Sequence, residues 1–105
     1  MPQWDVYVNP NPRTRADVPY LVNVQSDLLA DLRTRFVVPL VVPTRRLPGL
    51  PERMGPVFEI QDQRVLLVPH EAGPVDAGQL KQLVANVRDQ SHRLINALDA
   101  VISGV

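Results

Sequence analysis

The sequence predicts a mainly β domain closed by one C-terminal helix, and two observations predict it. All eleven prolines fall at or before Pro74, among short apolar runs and turn residues. Proline cannot donate to a ladder and it ends helices, so this region reads as short strands separated by turns. After Gly78 the prolines stop, and Leu80, Leu83, Val84, Val87, Leu94, Ile95, Leu98, Val101 and Ile102 recur at helical spacing. Strands first and a helix last argue for a strongly bent antiparallel sheet or small barrel with the helix packed on it.

Trp4 to Val8 alternates large apolar with smaller or polar positions, the pattern of a half-buried strand. Asn9-Pro10-Asn11-Pro12 is a turn by composition, and Arg13 to Asp17 continues it as a polar loop. Tyr20 to Gln25 forms the second strand, with Tyr20, Val22 and Val24 on one face. Phe36 to Val42 forms the third, apolar enough to be buried on both faces, with a bulge or bend expected at Pro39. Pro43 to Pro56 is a long connection without periodicity. Val57–Ile60 and Arg64–Val68 flank Gln61-Asp62-Gln63 as a hairpin lacking an Asn-Gly turn. Pro69 to Gly78 turns the chain again. A helix is expected from about Asp89 to Ile102, with Asp89 as cap and Gly104 as the C-terminal stop. Gln79 to Val87 reads as its first part or as a separate turn.

The chain of 105 residues makes one domain, residues 1–105. Eleven basic and eleven acidic residues leave no net field to draw it to nucleic acid or membrane. Ten of the eleven cations are arginine, which suits bidentate and interface contacts. The absence of cysteine excludes disulfides and thiolate metal sites and fits a reducing cytosol, so a cytoplasmic location is expected. The N-terminus has no signal-peptide pattern, and no apolar run approaches a membrane span.

Motifs for catalysis are missing. Ser26, Ser91 and Ser103 lack a glycine-flanked elbow, His70-Glu71 reads as solvated turn, and two separated histidines make a poor ligand set. Arg33-Thr34-Arg35 and Arg45-Arg46 read as solvated loop residues, or as contacts for an acidic partner. Leu94, Leu98 and Ile102, with Ile95 and Val101 beside them, read as the core stripe of the helix. The opposite stripe is His92, Asn96, Asp99 and Ser103. Asp99 faces the negative pole of the helix dipole, which is easier to understand if a partner uses it. Val105 follows the helix directly, so the terminal residues are expected to belong to the folded body. Leu28-Leu29, an apolar pair between two strand-like runs, asks for a partner to cover it.

Val24-Gln25-Ser26-Asp27-Leu28-Leu29, Arg35-Phe36-Val37-Val38-Pro39-Leu40, Leu94-Ile95-Asn96-Ala97 and the Gly104-Val105 ending resemble the CcdB toxins of bacterial toxin–antitoxin modules. The resemblance implies a five-stranded, SH3-like antiparallel sheet with a C-terminal helix, assembled as a homodimer. It implies a toxin that is not an enzyme, takes no cofactor and binds DNA gyrase A. It further implies neutralisation by a CcdA-like antitoxin, with operator DNA contacted through the antitoxin complex. Carried over by position, the binding residues are Ser26, Leu28, Leu29, His92, Asn96, Asp99, Ser103, Gly104 and Val105. Two positions depart from the family pattern: Ser103 stands where the family has a tryptophan central to gyrase poisoning, and Asp99 where it has asparagine. Two alternatives stay open. One is a CcdB-fold, antitoxin-binding autoregulator without poisoning. The other is a MazF-like mRNA-cleaving toxin, using Arg33, Arg35 or Arg45 in a groove.

Overall fold

The structure, a computed structural model, describes residues 2–43 and 55–104. The Pro48-Gly49, Pro51 and Arg45-Arg46 features, and Val105, lie outside the described residues. The strands are β1 (Asp5–Val8), β2 (Tyr20–Asn23), β3 (Thr34–Val41), β4 (Val57–Ile60), β5 (Gln63–Leu67), β6 (Gly73–Asp76) and β7 (Leu83–Asn86), followed by helix α1 (Ser91–Ser103). They form one antiparallel sheet in the order β4-β5-β3-β2-β1-β7, with β6 also on β3. This is the expected architecture, a curled antiparallel sheet with a single C-terminal helix.

The long strand β3 organises the sheet. Along one edge it pairs regularly with β2, from Asn23 opposite Val37 to Tyr20 opposite Leu40. Along the other edge it pairs with β6 over Thr34–Val37 and with β5 at Leu40 and Val41. Pro39 sits at that change of partner, where a missing N–H removes no ladder bond, and its carbonyl accepts from the Val68 N–H at 3.0 Å. The expected bulge at Pro39 is therefore replaced by a change of partner along a strand that stays in register with β2.

Alternation along the strands builds two cores. Val6, Val22, Val38, Leu40, Phe58 and Leu67 face the helix and pack with Leu94 and Ala97. On the opposite face Tyr7, Leu21 and Val37 pack with Leu80. Full burial of each such aliphatic side chain contributes about 1.5–3 kcal/mol. The β4–β5 hairpin turns through Gln61 and Asp62, both at positive φ (50° and 64°). Two residues at positive φ make the primed turn that fits strand twist, here without glycine.

The structure corrects three expectations. Gln79 to Val87 is no part of the helix: β7 pairs with β1, Asp5 opposite Asn86 and Tyr7 opposite Leu83. Its helical spacing arises because Leu80 and Val87 enter different cores. Within Pro69 to Gly78, the chain forms β6 rather than only turning. Asp89 does not cap α1, which grows out of a 3₁₀ turn over Arg88–Gln90 with Gln90 at the cap position and no side-chain cap bond. Arg93 anchors this end instead. Its guanidinium donates to the Val57 carbonyl and to Gln90 Oε1, both at 2.7 Å, and lies 4.4 Å from the centre of the Phe58 ring. The other end stops as expected at Gly104, whose φ of 71° suits glycine and whose N–H reaches the Ala100 carbonyl.

Candidate interaction surface

The connection between β2 and β3 holds Leu28 and Leu29 out from the body. A 3₁₀ turn over Asp27–Leu29 is capped by Ser26, whose Oγ accepts from the Leu28 N–H at 3.2 Å. Asp27 Oδ1 accepts from the Gln3 N–H at 2.8 Å. Gln25 staples the two ends, its Nε2 donating to the Leu29 carbonyl and its Oε1 accepting from the Phe36 N–H. Arg35 closes the loop from beneath, donating to the carbonyls of Ala30, Leu32 and Thr34. On this braced turn Leu28 is 94% exposed, and Leu29, Leu32 and Phe36 are also exposed. Such a group of exposed apolar side chains on a hydrogen-bonded turn is suited to covering by another protein.

The helix presents a second surface. His92, Asn96, Asp99, Ser103 and Gly104 are all exposed. The expected core stripe is corrected here: the buried positions are Leu94, Ala97 and Ala100, Leu98 is half-buried, and Ile95 and Ile102 are exposed, Ile102 at 84%. Leu94 and Ala97 pack into the core and the helix runs against the 3₁₀ turn Pro69–Glu71, which leaves Ile95 and Ile102 on the outer side beside Asp99. The outer face is therefore mixed apolar and polar rather than a plain wet stripe. The Ser103 hydroxyl turns inward along the helix and donates to the Asp99 carbonyl at 2.7 Å. No hydrogen bond among the described residues joins the Ser26–Leu29 turn to the helix, so the two surfaces are separately supported.

The expectation of a solvated or groove-lining Arg35 is corrected as well. Arg35 is buried, its terminal nitrogens are taken by loop carbonyls, and its Nε has no partner among the described residues. Of the other two arginines considered for RNA cleavage, Arg33 is exposed and Arg45 lies outside the described residues. His70 and Glu71 are exposed on a 3₁₀ turn, as expected. Among the described residues no three histidine, aspartate or glutamate side chains gather as a metal site. The roles of Gln25 and Arg35 are not visible in a single sequence, because each acts on backbone groups several residues away.

Beneath this region Tyr7 donates to the buried Asp5 carboxylate at 3.2 Å, and Asn86 Nδ2 donates to the other Asp5 oxygen at 2.8 Å. Burial, reinforced by the Asp5 charge and opposed by Arg35, pushes the Tyr7 phenol from 10.0 up to about 12. The unfolded chain loses this proton first, so the stabilisation is complete below pH 10 and declines as pH rises from about 10 to 12. Tyr7→Phe is expected to flatten that alkaline decline in urea unfolding curves; an unchanged decline would place its origin elsewhere.

No curated protein matches the chain. The family model described as CcdB protein matches residues 3–104, which takes in the braced turn, both cores and the helix through Gly104. The chain thus belongs to the CcdB family, the toxins of toxin–antitoxin systems.

Proposed function

We propose that this toxin acts by binding rather than by catalysis, as a homodimer that engages DNA gyrase A and inhibits the topoisomerase. In this reading a CcdA-like antitoxin covers the same surfaces, and the toxin–antitoxin complex represses its own operon through the antitoxin's contact with operator DNA. The observation that carries the reading is Leu28, 94% exposed on a turn held by Ser26, Gln25 and Arg35. Holding an apolar side chain in place before a partner arrives reduces the ordering cost of association. Expression in a bacterial host is expected to arrest growth, with relief by substitutions in gyrase A. Normal growth at high expression would count against it.

A second reading, an antitoxin-binding autoregulator that has lost poisoning, is favoured by Ser103. Its hydroxyl is satisfied within the helix, and a serine offers little apolar area where the family has tryptophan. A buried tryptophan anchor contributes about 2 kcal/mol or more, roughly thirtyfold in affinity. Ser103→Trp is expected to tighten gyrase binding by about that factor in a pull-down titration. Equal gyrase binding by both forms would remove Ser103 as the deciding residue.

A further inference from the structure

A cavity of about 630 Å³ shares no residue with the turn or the helix. Its walls come from the end of β1 with the turn after it, from Arg15, and from the stretch leading into β7. The lining carries two cations, Arg15 and Lys81, with the amide side chains of Asn9, Asn11, Gln79 and Gln82. None of the eleven acidic residues lines it, although the chain as a whole is neutral, and Lys81 is the one lysine of the sequence. The nearest acidic group is Asp76, whose Oδ1 accepts from the N–H of the lining residue Gly78 at 2.8 Å, so two cations face the cleft beside one carboxylate at its edge.

The wall is built rather than incidental. Asn9 is buried, its Nδ2 donating to Thr14 Oγ1 and to the Val18 carbonyl, both at 2.9 Å, and its Oδ1 accepting from the Asn11 N–H. The Asn9 carbonyl accepts from Arg15 Nε at 2.8 Å, which tethers the guanidinium and leaves its two terminal nitrogens without a partner among the described residues. The side chains of Lys81, Gln79 and Gln82 likewise have no hydrogen-bond partner there. The Asn9 amide is spent on its own loop, so the groups open to a ligand are the Arg15 terminal nitrogens, the Lys81 ammonium and the amides of Asn11, Gln79 and Gln82, all on exposed residues.

We propose that this cavity binds a phosphate monoester, held between the Arg15 fork and the Lys81 ammonium with amide donors around it. A carboxylate is satisfied by one guanidinium. A phosphate monoester carries about −1.5 to −2 charges and three acceptor oxygens, which matches two cations plus amides. The cleft is open to solvent, and its volume falls in the range of small-molecule sites, about 300–1,000 Å³, which leaves room beside the phosphate for an organic group such as a nucleoside. This site is independent of the gyrase-binding reading.

The test is an amide-resonance titration of the full chain with adenosine monophosphate and with inorganic phosphate, against adenosine and sodium chloride at matched ionic strength. Saturable shifts are expected at Asn11, Gly78 and Gln82 with the monophosphate, at least about tenfold tighter than with adenosine. Lys81→Gln is expected to weaken binding about tenfold, and Lys81→Arg to retain it. Lys81 makes no hydrogen bond among the described residues, so this pair remains informative even where Arg15→Gln loosens the loop. Shifts that follow ionic strength alone, an unaltered Lys81→Gln titration, or binding of a glutamate-rich peptide or duplex DNA in place of the monophosphate would each overturn the assignment.

Discussion

Leu28→Asp is expected to abolish partner binding while leaving the fold intact. The side chain is 94% exposed, so its replacement stays within about 0.5 kcal/mol of wild-type stability. The hydrogen bond from its N–H to Ser26 Oγ uses backbone and survives. Against a partner the effect is large: the apolar contact, about 1.5–3 kcal/mol, is lost and a carboxylate is desolvated in its place. Antitoxin affinity measured by calorimetry should fall at least about a hundredfold, and growth arrest should disappear with it. Unchanged affinity with unchanged melting would show that the turn is not the contact surface.

The second large effect is on stability. Leu94 is 1% exposed and packs against the sheet, so Leu94→Ala is expected to cost about 2–5 kcal/mol. For a domain of this size each kcal/mol moves the melting temperature by about 4–8 °C, so a drop of at least about 10 °C should appear on a thermal scan. Ile102→Ala is the contrast, because that residue is 84% exposed and its truncation should change melting by only a few degrees, about 0.5 kcal/mol. Equal destabilisation by both substitutions would mean that a second copy covers Ile102 in solution.

That contrast marks how far the sequence can be read. Period-two alternation identifies β1, β2 and the shared face of Tyr20, Val22 and Val24. The half-buried reading of β1 does not hold, because both faces of these strands are covered, Val6 and Val22 in one core and Tyr7 and Leu21 in the other. The hairpin Val57 to Val68 is legible although its turn lacks glycine. The segment Gln79 to Val87 is not, since spacing of three and four also arises when a short strand is flanked by residues feeding opposite cores. Ile102 misleads for a related reason. Periodicity shows that a face is apolar, whereas whether this protein covers it depends on how the helix is seated, here with Leu94, Ala97 and Ala100 inward and Ile102 outward.

The sequence by itself determined the class of fold, the family and the exposed position of Leu28-Leu29, all properties of local pattern and of a contiguous block around Gln25-Ser26-Asp27. The tertiary structure decided what Arg35 does, that β7 joins β1, that β6 joins β3 beside β5, and which helix face remains open. It also brought Arg15 and Lys81 to one cavity across 66 residues of chain. The physical reason is common to all of these. Burial, carbonyl capping and charge juxtaposition depend on distances between segments remote in sequence, and only the packed sheet sets those distances.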